Sequence, residues 1–243
     1  DDIVVLRDDV QGNANLLPTK NNILNCLKTL ILNSNNCEEI CFFYSGHGSL
    51  INKNKGNVIS STNIIVPVDY STAGMITEDE LYSIIVGAKC KFLLLFDCRQ
   101  SGSICDLPFS FEYKKPTYYL ITQNTNTPLQ NQNIFLFSGC KDSQTSSDIY
   151  ESEYQQYEGA FTDALLHSLR KNNHKADIFQ VYKDICIFLQ QKKAKGTNVS
   201  FHNTTMSELD LNIDNYTLND LYNLFNIPLD RKSTRLNSSH TDI

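Results

Sequence analysis

Phe92-Leu93-Leu94-Leu95-Phe96 runs without a polar residue into Asp97-Cys98-Arg99-Gln100-Ser101-Gly102. An apolar stretch of this length, stopped by an aspartate and a glycine-bearing turn, reads as a strand buried on both faces. Working outward, Ile40-Cys41-Phe42-Phe43-Tyr44 ends in Ser45-Gly46-His47-Gly48. Ile134-Phe135-Leu136-Phe137 ends in Ser138-Gly139-Cys140-Lys141-Asp142. Helical patterns lie between these runs. Ile23, Leu27, Leu30 and Ile31 recur at helical spacing within 22–32, and Thr77 with Glu80 makes a capping box for a helix reaching about Val86. Segments 159–169 and 178–189 are amphipathic. Ile3 to Leu6 and Ile64 to Val66 read as further strands, and Val199 to Phe201 with Leu209 to Leu211 as a closing strand pair. A polar loop is expected over 52–63 and a long irregular stretch, rich in Pro, Thr, Asn and Gln, over 98–133. The alternation predicts an α/β fold, with helices covering a mainly parallel sheet.

Composition narrows the classes. The 243 residues suffice for one α/β core, and 41% hydrophobic content excludes a disordered chain. No apolar run approaches the ~18 residues of a membrane span, so no membrane partner is expected. A formal net charge of −6 speaks against nucleic acid, which attracts a basic surface. Eight cysteines are scattered with no Cys-x-x-Cys pair, which suggests a reducing, cytoplasmic location with mostly buried, inert thiols and no structural zinc.

In a parallel sheet the carboxyl ends of the strands share one edge, and ligands gather there. His47 at one such end and Cys98 at the next is a layout for thiol catalysis, in which the imidazole takes the thiol proton. The nearby glycines admit a substrate close to the backbone, and N–H groups around Gly48 can hold an oxyanion. Plainer roles compete with these. His47 can be a hydrogen-bonded turn residue, Cys98 a small semi-buried side chain, and Asp97 a turn former bonding its own backbone. Taken singly, each plainer role is the better reading. Their joint placement at adjacent strand ends shifts the balance toward a site.

The motif Tyr44-Ser45-Gly46-His47-Gly48 resembles the histidine motif of the metacaspases, which are caspase-like cysteine peptidases. The resemblance continues through Val66-Pro67-Val68-Asp69-Tyr70, Phe96-Asp97, Ser101-Gly102-Ser103 and Asp106-Leu107-Pro108. It resumes from Ser138 to Ser146 and in Gly159-Ala160-Phe161-Thr162, covering roughly Asp1 to Leu211 and looking closest to the type I subgroup. It implies a caspase-like three-layer α/β/α sandwich, here lacking its N-terminal strand and helix. The implied peptidase domain spans 1–229, with a large-subunit-like part over about 1–113, a flexible insert over about 114–133 and a small-subunit-like part over about 134–229. Residues 230–243 break the pattern like a translated adapter and are expected to be non-native. The implied activity is cleavage after Arg or Lys, with His47 as general base, Ser45 and Asp97 reading the basic side chain, and Gly48 at the oxyanion. Implied partners are basic polypeptides or an active metacaspase relative. The resemblance also implies calcium, but only Asp106 matches a ligand position, and 52–57 and 60–63 contain no carboxylate.

The family pattern at the nucleophile is DSCHSG, and this chain reads DCRQSG over 97–102. Without a gap, Arg99 stands at the nucleophile position and Cys98 lies one residue early. A one-residue slip on a strand turns a side chain to the opposite face. Arginine stays protonated and has no nucleophilic lone pair. Arg99 shares strand parity with Asp97, whose carboxylate its guanidinium could fork onto. Two functions are therefore in view: a cysteine endopeptidase lineage with impaired chemistry, and a catalytically dead caspase-fold regulatory or decoy module. A nucleotide-binding reading fails because no glycine-rich phosphate loop follows a strand.

Overall fold

A computed structural model describes residues 3–55, 58–98, 104–105, 107–114, 118–123, 133–139, 160–176, 178–191 and 200–203. Thr19 caps α1 (Lys20–Leu32) by accepting the Asn22 N–H, and the chain then enters β1 (Glu39–Ser45). A hairpin of β2 (Gly48–Lys55) and β3 (Val58–Ile65) follows, then a single helical turn, α2 (Tyr70–Ala73), and β4 (Ile76–Thr77), which pairs with β3. The Thr77–Glu80 capping box starts α3 (Glu78–Ile85), with both reciprocal bonds made. After it come β5 (Lys91–Asp97), β6 (Phe109–Lys114), β7 (Tyr118–Gln123), β8 (Ile134–Ser138), α4 (Ala160–Lys171), α5 (Ile178–Gln191) and β9 (Ser200–Asn203).

The main sheet runs β1-β5-β8-β9-β6-β7. β1, β5 and β8 are parallel, whereas β9, β6 and β7 join by antiparallel pairings. Strand parity divides the apolar run between two cores. Phe92, Leu94 and Phe96, with Ile40, Ile134 and Leu136, pack against Ile23 and Leu27 of α1 and Leu81 and Ile85 of α3. Leu93, Leu95 and Phe137 face the other way, onto Phe161 and Leu165 of α4 and Tyr182 and Ile185 of α5. Helices thus cover both faces, giving three α/β/α layers. Each fully buried large apolar side chain contributes about 1.5–3 kcal/mol, which is why the run at 92–96 sits at the centre.

Several expectations change. Ile3 to Leu6 forms no strand, and Ile3, Val4 and Val5 are exposed. A strand exists only through ladder bonds, and β1, at the sheet edge, pairs with β5 alone among the described residues. The expected loop over 52–63 is instead most of the β2–β3 hairpin. Its polar composition hid the signal, which is the two residues Gly56-Asn57 between the paired ends Lys55 and Val58. The stretch 98–133, expected to be irregular, carries β6 and β7, so residues 118–123 of the expected insert are strand. β9 pairs with β8 and β6, and Leu209 to Leu211, its expected partner, lies outside the described residues, as does the 230–243 tail. The thiols are not mostly buried. Among the seven described, Cys98 and Cys105 are buried, Cys37 and Cys41 are exposed, and Cys26, Cys90 and Cys186 are intermediate, and none of them forms a disulfide. Among the described residues no helix is long and apolar enough to cross a membrane.

A charged contact ties α4 to α5. Asp184, 3% exposed, accepts from Lys171 Nζ at 2.8 Å and from Asn172 Nδ2 at 2.7 Å. Burial alone would raise its carboxyl, but hydrogen bonds from Lys171, Asn172 and Gln180 outweigh it and hold the group below the usual carboxylate range. A depressed folded pKa contributes stability above the unfolded value, about 3.9, and that contribution is lost as pH falls through the folded one. Asp184→Asn is therefore expected to cost about 1–3 kcal/mol in urea titrations at pH 7. The difference from the parent should close as the pH drops below about 4. A gap that is unchanged at low pH would show that the carboxylate charge is not its source.

Candidate active site

Register brings the parallel strand ends level, with Ser45 beside Asp97 and Phe96 beside Ser138. The turn after β1 is held from beneath by Tyr44. Its hydroxyl donates to the His47 carbonyl at 2.9 Å, and Val66 N–H donates to the same carbonyl at 3.0 Å. A Cβ at Gly46 would stand 2.8 Å from Tyr44 Oη, so a side chain there would have to displace the tyrosine ring. His47 is thereby presented at the edge with its residue exposed, and Gly48 opens β2.

Asp97 is the hub of the edge. It is 2% exposed, and its carbonyl accepts the Gly46 N–H at 3.4 Å. Its carboxylate reaches across to α4. Oδ2 accepts the Thr162 N–H at 3.2 Å and also the Thr162 hydroxyl. Thr162 is the third residue of α4, where an N–H has no intrahelical acceptor and a negative charge is favoured. Gly139 closes the third side. Its N–H donates to the Phe96 carbonyl at 2.9 Å, and a Cβ there would lie 3.2 Å from Phe161 Cβ and 3.4 Å from Asp97 Oδ1. Ser45, the register partner of Asp97, shares its face and is exposed. The result is a buried carboxylate flanked by a hydroxyl and by the histidine turn.

Residues 1–108 match the family model described as metacaspase, peptidase C14 domain. The chain is similar to the metacaspases. It is 29% identical over 195 residues to Metacaspase-1 of Meyerozyma guilliermondii, covering 61% of this chain and 47% of that protein. It is 30% identical over 207 residues to Metacaspase-5 of Trypanosoma cruzi, covering 79% of this chain and 46% of that protein. The chain thus spans about half the length of these relatives. A crystal structure of a Geobacter sulfurreducens protein superposes with a TM-score of 0.48 at 16% identity, covering 77% of this chain and 74% of that one.

Set against the metacaspase motif, the two halves of Asp97-Cys98 part company. Asp97 turns toward α4, whereas Cys98, 4% exposed, joins the apolar cluster with Ile104 and Cys105 on the α1–α3 face. Arg99, at the family's nucleophile position, lies outside the described residues, as does Asp106. The calcium implied by resemblance finds no holder among the described residues, where no group of three His, Cys, Asp or Glu side chains could hold a metal ion. Thr162 and Gly139 were legible only as parts of matching segments. A hydroxyl residue in the first turn of a helix was the sequence signal for Thr162, but the carboxylate it meets is 65 residues away.

Proposed function

We propose that this chain keeps the basic-side-chain site of an Arg/Lys-directed cysteine endopeptidase lineage but does not cut. The observation that carries this reading is the Asp97 carboxylate, buried at the carboxyl edge of the parallel strands beside Ser45 and the His47 turn. A guanidinium or ammonium is the group such a carboxylate and hydroxyl would select. Cleavage needs more, namely a thiolate within reach of the imidazole that generates it. His47 is available as the base, but Arg99 fills the position from which the family's thiol attacks. Cys98 is buried in the apolar cluster on the α1–α3 face. The chain then acts as a caspase-fold binding module. Its partners are basic polypeptide segments, alone or presented by an active metacaspase relative. No step in this reading runs through calcium.

The test is exposure of the purified chain to an arginyl chloromethylketone, followed by intact-mass measurement and assay on a basic fluorogenic peptide. Unmodified protein and no turnover are expected. An adduct on Cys98, or turnover abolished by His47→Ala, would show that the chain is a working peptidase and overturn the reading.

A further inference from the structure

The Gly159-Ala160-Phe161-Thr162 segment has no role in the reading so far, yet it supplies the partner of the central acid. From the Asp97–Thr162 contact we infer that Thr162 is a positioning residue for basic-side-chain recognition, and this inference rests on the proposed function of Asp97. A carboxylate at the end of a strand can turn about χ1 and χ2, and binding a basic side chain requires an oxygen held in one fixed orientation. Two donors from one residue supply it. The Thr162 N–H and hydroxyl both reach Oδ2, so this oxygen is held against α4. The β8 turn packs close by, since a Cβ at Gly139 would lie 3.4 Å from Oδ1. Through the two Thr162 bonds α4 orients the carboxylate.

The arrangement also explains a coupling across the chain. Asp97 belongs to the part before the insert and Thr162 to the part after it, 65 residues later. Recognition of a basic side chain therefore depends on α4 being docked, and α4 docks through Phe161, fully buried against Phe137 and Leu95 in the same cluster. Thr162 touches no substrate in this scheme and acts through Asp97.

Calorimetry tests it on the full chain carrying Arg99→Ala, so that the neighbouring guanidinium cannot compete for Asp97. The probes are a tripeptide aldehyde ending in arginine and its norleucine counterpart. Thr162→Val keeps the shape and the N–H but removes the hydroxyl. It is expected to weaken the arginine peptide about tenfold, the worth of one charge-assisted hydrogen bond, and to leave the norleucine peptide unchanged. Thr162→Ser, which restores the hydroxyl, should return affinity to within about twofold of the parent. If the valine variant unfolds at the assay temperature, Thr162→Ala takes its place with the same expectation. A parent that prefers arginine while the valine variant binds equally well would overturn the role of Thr162 and leave the function of Asp97 standing. Equal losses for both peptides would make Thr162 a purely structural residue. A parent with no preference for arginine over norleucine would overturn the function of Asp97, and the role of Thr162 with it.

Discussion

Arg99→Cys is expected to convert a chain that takes no label from an arginyl chloromethylketone into one labelled at position 99. The proposed function assigns three pieces of the chemistry to residues at this edge. His47 is presented at the edge on a turn tied down by Tyr44, and Asp97 and Ser45 lie level at the neighbouring strand end. A thiol is intrinsically nucleophilic, so labelling demands little beyond proximity to the base and retention of the arginyl group. Removing a general base typically costs 10²–10⁴-fold, so adding His47→Ala should slow labelling of the Arg99→Cys protein by at least about 100-fold. Turnover of peptide substrates should remain weak. Cleavage also needs an oxyanion hole and protonation of the leaving amine, and the family's neighbouring histidine is Gln100 here. Absence of label at position 99 would mean that the edge described around Asp97 does not bring an arginyl group to the nucleophile position.

The largest loss of stability is expected from Phe96→Ala. Phe96 is fully buried, with its ring centroid 5.8 Å from that of Phe42 and 6.1 Å from that of Tyr44. Truncating such a ring removes its transfer free energy and leaves a cavity, at a cost of about 3–5 kcal/mol. Against a total stability of about 5–15 kcal/mol this is a large share. The effect should reach the site, because Tyr44 packs on Phe96 and its hydroxyl holds the His47 carbonyl. Phe96→Leu, closer in volume, should cost less than about 1.5 kcal/mol. Urea titrations of the three proteins give the comparison directly. A loss below 1 kcal/mol for Phe96→Ala would mean that the core under β5 is not packed around this ring.

Where chemistry is local, the sequence was decisive. A five-residue apolar run ending in Asp97 has one economical conformation, and the Thr77–Glu80 box closes within a single helical turn, so β5 and the start of α3 were readable directly. That β1, β5 and β8 belong to one parallel sheet was also readable from apolar runs alternating with helical patterns, although Phe43 on β1 stays exposed. The motif around His47 placed the chain among metacaspase relatives before any packing was known. Long-range pairing decided the rest. Most of the β2–β3 hairpin between Asn52 and Asn63 is polar and is paired by backbone bonds that any residue can make, so only its apolar end at Ile64 and Ile65 announced a strand. Ile3 to Leu6 failed in the opposite sense, since strand-like residues without a ladder partner are only extended chain. Whether Asp97 bonds its own turn or another element depends on which donor the fold brings within 3 Å or so, and composition carries no record of that distance. Thr162 is one such donor, and only the docking of α4 against the sheet puts it there.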